Sequence, residues 1–194
     1  MKVEIRNNSV TLDGYVNVVD RESRVLPSPR GVFKEVITPG AFEKALNATS
    51  NVDLLFNHDE TRKLGSTVEG NLQLYEDNVG LRAIATITDQ EVIQKAMNNE
   101  LQGWSFGFIA TNDEWVEIDG IQKRYVKDME LKEVSILDCT PAYVATSVEM
   151  RGENKSFIEF RSDEKTTTSV INHDEIQKRN DILSIILELL EVNQ

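Results

Sequence analysis

The chain has 194 residues, 40% of them hydrophobic, which suits one domain with a real core plus an appendage. A formal net charge of −12 argues against a nucleic-acid surface, which would be basic, and fits packing beside other proteins or recognition of basic segments. The single cysteine, Cys139, excludes an internal disulfide. With only two histidines there is no zinc-ligand spacing, and no cofactor or metal is expected, Asp59-Glu60 being at most a weak oxygen pair.

Residues 1 to 20 read as two short strands around a turn at Asp13-Gly14. Pro27-Ser28-Pro29-Arg30-Gly31 reads as a loop. Pro39-Gly40 opens a helix over 41–47, with Phe42, Ala45 and Leu46 as its apolar stripe. Val52 to Asp59 is a short strand ending in His58. On strand periodicity Val52, Leu54, Phe56 and His58 share a face. Strands follow at 65–69, 72–75 and 81–87, separated by turn residues. Asp89 caps a helix over 89–99, in which Val92, Ile93 and Ala96 form a stripe. Residues 103–108 and 113–118 read as strands. Asp119-Gly120 then marks a hairpin returning over 122–126. A last strand spans 129–137, and Pro141-Ala142-Tyr143 closes the domain.

No N-terminal run resembles a signal peptide, and no stretch of about 18 apolar residues could span a bilayer. A soluble, intracellular protein is expected. The fold predicted is α+β: a mostly antiparallel β-barrel-like core with a few surrounding helices, plus a C-terminal linker and amphipathic helix. The folded domain covers 1–151. Residues 152–171 read as a flexible linker, Ser/Thr-rich at Thr166-Thr167-Thr168-Ser169. Residues 172–194 form the helix, started by Asn172 and Glu175. Its apolar face of Ile176, Leu183, Ile186, Leu187 and Leu190 fits a partner or a second subunit, or packing back on its own domain.

Three segments carry chemistry. Gly103-Trp104-Ser105-Phe106-Gly107-Phe108 alternates strictly, so the aromatics share one face and Ser105 lies between glycines on the other. A serine laid bare in that way suits a nucleophile; equally, it suits a crowded strand. A serine hydroxyl needs a base, and His58 is the credible one, since His173 lies in a polar C-terminal region. A turn histidine without a chemical role is the other reading. In the 129–137 strand, Glu133 falls between leucines, where an unpaired carboxylate is costly. Pairing with an imidazole N–H would satisfy it and fix the tautomer. An ion-paired structural glutamate is the alternative, with Glu130 and Asp128 as fallback acids. The oxyanion donors are open, with Arg62 and Arg30 as loop candidates.

The order LLFNHD, Val79-Gly80-Leu81, GWSFGF, LKEVSI and CTPAY resembles the prohead maturation proteases of tailed phages. Ile37-Thr38-Pro39-Gly40-Ala41-Phe42 matches their Pro-Gly-Ala-Phe element. The resemblance spans residues 10 to 151, and these enzymes are distantly similar to herpesvirus capsid-assembly serine proteases. It places the family's histidine on His58 and its serine on Ser105, and carries the less uniform third member to Glu133. Trp104 stands where Met or Leu more often precedes the serine. The resemblance implies a serine endopeptidase that cleaves the major capsid protein with its scaffolding segment, and itself. It acts inside the assembling procapsid in the host cytoplasm, with self-association and the portal as further candidate partners and neither nucleic acid nor membrane. A non-catalytic capsid scaffold or assembly module on the same fold is the alternative. On the protease reading, the C-terminal helix fits a targeting segment that self-cleavage removes.

Overall fold

The computed structural model describes residues 1–28, 31–138, 158–162 and 169–191. In chain order the elements are β1 (Lys2–Arg6), β2 (Ser9–Val18), β3 (Leu26–Ser28), β4 (Gly31–Ile37), α1 (Ala41–Ala48), β5 (Asp53–Phe56), β6 (Asp59–Ser66), β7 (Leu72–Glu76) and β8 (Gly80–Ile87). There follow α2 (Gln90–Met97), β9 (Gly103–Ile118), β10 (Ile121–Leu137), β11 (Glu159–Ser162), β12 (Ser169–Asn172) and α3 (His173–Glu191). Arg30 and the Cys139 to Tyr143 motif lie outside the described residues, as does the 151/152 boundary.

The α+β class holds, but the strands form two mixed sheets rather than a closed barrel. One sheet has the order β12-β1-β2-β8-β7. The other runs β11-β9-β10-β4-β3, with β5 also on β10 and β6 on β5. Both contribute to one apolar core, which takes in Phe42 of α1 and Val92, Ile93 and Ala96 of α2. Trp104, Phe106 and Phe108 are buried there, as their alternation requires. Asp89 caps α2 by accepting the Val92 N–H at 3.0 Å.

The spine of the second sheet is β10, which pairs antiparallel with β9 through the Asp119-Gly120 hairpin. Its other edge takes β4 and then β5, both parallel. A register shift lies between Leu131 and Glu133. Leu131 pairs with Phe108, whereas Glu133 pairs with Gly107, so the bulge moves the chain to its other face at Lys132. Met129, Leu131, Val134 and Ile136 all reach the core. Glu133 and Ser135 are left together on the opposite side. Strict alternation had placed Met129 and Leu131 with Glu133; the bulge is why they separate.

Other local expectations also change. Asp13-Gly14 is no turn: β2 runs through it, because Asp13 receives the Arg82 fork from β8 at 2.9 Å and Gly14 admits the Trp104 ring. The turn lies at Asn7-Asn8, where Asn7 has φ 44°. The strands expected at 103–108 and 113–118 are one, β9. Within the span read as flexible linker stand β11, antiparallel to β9, and β12, parallel to β1. Asn172 accepts from the backbone of Asp174 and Glu175 at 3.1 and 3.2 Å and starts α3.

A buried ion network holds β11. Arg124 of β10 donates to both Glu159 oxygens at 2.6 and 2.9 Å and to Glu35 of β4 at 3.1 Å. Arg161 forks onto Glu35 at 2.7 and 3.1 Å. All four side chains are buried, so each charge requires these partners. Burial opposes the charge on Glu159, but the Arg124 bond and the fields of Arg161 and Arg124 outweigh it and hold the carboxyl below its usual range. A carboxylate with a depressed pKa stabilises the fold above its unfolded value, about 4.3, and that contribution is lost as pH falls through the folded value. Denaturant midpoints are therefore expected to fall in that acid window, and by less in Glu159→Gln. Equal acid-side falls in the two chains would contradict this placement of Glu159.

Candidate active site

His58 is set by a turn, not by strand alternation. Asn57 and His58 have φ of 55° and 61°, and Phe56 pairs directly with Asp59 across them. Two left-handed residues make the tight β5–β6 hairpin, for which Asn is a favoured first residue. Asn57 also donates to Asp138 at 2.8 Å and accepts its N–H at 3.2 Å, which anchors the turn to the end of β10. A left-handed histidine is a strained conformation, of order 1–3 kcal/mol, that surrounding contacts must hold.

Those contacts come from β10. His58 Nδ1 lies 2.7 Å from Glu133 Oε1. The second Glu133 oxygen accepts the Ser135 hydroxyl at 2.6 Å. That hydroxyl also accepts the His58 backbone N–H at 3.1 Å. One buried serine thus ties the histidine's backbone to the carboxylate its ring faces. With Nδ1 engaged by the carboxylate, the neutral ring keeps its proton there and leaves Nε2 as the acceptor. The fallback acids are elsewhere: Asp128 takes Lys44 at 2.7 Å and Glu130 takes Lys132 at 2.6 Å. Arg62 is in β6, not a loop, and binds Glu91 at 2.9 Å.

Ser105 lies on the adjoining strand, directly across from Ser135. One row runs Ser162, Ser105, Ser135 over β11, β9 and β10; the next runs Phe160, Gly107, Glu133. Gly107 is required there. A Cβ would stand 2.7 Å from Glu133 Oε1 and 2.9 Å from the Phe160 ring. Ser105 itself is not laid bare: it is 0% exposed, and β11 pairs with β9 alongside it. Its hydroxyl donates to the Arg161 carbonyl at 2.7 Å. Among the described residues no hydrogen bond joins Ser105 to His58. Phe160 lies against His58, with ring centroids 4.4 Å apart.

The structure therefore brings His58 and Glu133 into contact, and sets Ser105 beside them with its hydroxyl turned to β11. Ser135 was not singled out in the sequence, although its place two residues after Glu133 on the same face was a usable signal. Glu159 and Arg161 pair locally at 2.7 Å, but the links that bury them, to Glu35 and Arg124, are long-range and left no local signal. Among the described residues no helix is long and apolar enough to cross a membrane.

Fold and site together define an α+β protein with a carboxylate-held histidine beside a strand serine, groups of the kind used in serine-nucleophile chemistry. Residues 1–161 match the family described as caudovirus prohead serine protease, and the chain belongs to that family. Its class of activity is thus proteolysis in phage capsid maturation. No curated protein and no solved structure matches the chain.

Proposed function

We propose that the chain is a serine endopeptidase in which Ser105 attacks the peptide carbonyl, His58 takes and returns its proton, and Glu133 orients the imidazolium. The observation that carries this reading is the His58 Nδ1–Glu133 Oε1 contact of 2.7 Å, beside the strand that bears Ser105. Its substrates are the major capsid protein with its scaffolding segment, the portal as a further candidate, and the chain itself. It self-associates and works inside the assembling procapsid in the host cytoplasm. A second reading, a non-catalytic scaffold or assembly module, is favoured by the burial of Ser105 and by the bond its hydroxyl donates to the Arg161 carbonyl. Time decides between them: the purified full chain should shorten, and its Ser105→Ala form should not.

The segment beyond the catalytic domain is read as removable. A protease cuts extended, solvated backbone more readily than a packed domain. Mass spectrometry of the processed chain is expected to show a new end between Glu153 and Ile171. A chain ending at Ser162 keeps the β11 ion network and should stay folded yet fail to enter shells. One ending at Arg151 loses Glu159 and Arg161 and should unfold at lower denaturant. Normal entry into shells by the Ser162-ended chain would remove the targeting role.

A further inference from the structure

A nucleophile with no exposed surface cannot meet a peptide until its cover leaves. The cover on Ser105 is specific. The Arg161 carbonyl takes the Ser105 proton in a hydrogen bond of 2.7 Å, so that proton is not directed to a base. Phe160 lies on His58 and fills the space that Gly107 leaves. One four-residue strand thus touches both groups a serine protease needs and the glycine in the row of Glu133.

Among the described residues β11 is also the terminal strand of its sheet. Were it withdrawn, β9 would present an open edge beside Ser105, and an open edge accepts an extended peptide by main-chain pairing. On the face away from Ser105, the Arg161 guanidinium is received bidentately by Glu35, a residue of β4 and not of the cover. Withdrawing β11 removes Glu159 and Arg161 together. Arg124 then still holds Glu35 at 3.1 Å and Asp113 at 2.6 Å, so no buried charge is stranded. Glu35 Oε1, which bonds Arg161 Nε, becomes available to a new cation. A chain of net charge −12 favours basic segments in the same sense.

We propose that β11 is a resident occupant of the substrate lane. In the open state, an extended peptide replaces it antiparallel to β9 and presents an arginine side chain to Glu35. This rests on the serine-protease reading above and adds a substrate class and a latent state to it. Until β11 leaves, Ser105 is held unreactive.

The test uses the full chain and a fluorophosphonate that labels activated serines, with the adduct mapped by peptide mass spectrometry. Phe160→Ala and Phe160→Leu loosen the strand from His58; the leucine keeps bulk should the alanine form fail to fold. Labelling at Ser105 is expected to be slow in the wild type and faster by about tenfold or more in the loosened chains, as for a site opened by local unfolding. A peptide with the Ile158–Ser162 sequence should then slow labelling, and the same peptide with alanine for arginine should do so less well. Equal labelling rates in wild type and loosened chains would overturn the latch. Equal protection by the two peptides would overturn the role of Glu35. Absence of any Ser105 adduct in every folded chain would overturn the protease reading, and the lane with it.

Discussion

Ser105→Ala is expected to lower peptide cleavage by on the order of a millionfold, the loss typical of a removed triad nucleophile. The fold should survive the change. It removes one hydroxyl whose hydrogen bond goes to the Arg161 carbonyl, and it leaves the β9 ladder and the aromatic face of that strand intact. The lost bond is worth about 1 kcal/mol. Rates on a capsid-precursor substrate, read beside thermal unfolding, separate the two effects. A folded Ser105→Ala protein that still cleaves would end the assignment.

His58→Ala should be about as damaging, because nucleophile and base act as one unit and removing either removes the step. Glu133→Gln should cost less, on the order of ten-thousandfold, since the acid orients and stabilises but does not react. The geometry makes the second change particular. Glu133 accepts from Ser135 through one oxygen and faces His58 Nδ1 with the other. A glutamine keeps only one acceptor, so either its NH2 faces Nδ1 and fixes the wrong ring tautomer, or the Ser135 hydroxyl loses its acceptor. Steady-state rates for the three proteins decide the order. Full activity in Glu133→Gln would remove the orienting role from this residue.

Much of the fold was legible where local pattern and tertiary demand agree. The strict alternation from Gly103 to Phe108 gave the buried aromatic face, Asp89 gave the start of α2, and Asp119-Gly120 gave the hairpin that joins the long strands. Sequence also singled out His58 and Glu133, the two residues that meet. Pattern failed where the backbone departs from regularity or where the deciding partner is distant. The bulge at Lys132 exchanges faces within one strand, so Glu133 looked mixed with core residues when it stands apart from them. His58 seemed to continue a strand, but a left-handed turn sets its direction. Asp13-Gly14 has turn chemistry, yet Arg82 and Trp104 claim both residues for β2. Glu159 to Ser162 is charged and short. Its pairing with β9 and its ion pairs to Glu35 and Arg124, all far away in sequence, hold it as a strand beside the serine between two glycines.

The most direct test of the central claim is the position of the acyl group during turnover. The full chain, incubated with an activated ester of an arginine-ending peptide, is quenched in acid and mapped by mass spectrometry. The acyl group is expected on Ser105, and it should be absent from Ser105→Ala. Cleavage without any adduct on Ser105, or an adduct carried by Ser135 or another residue, would contradict it.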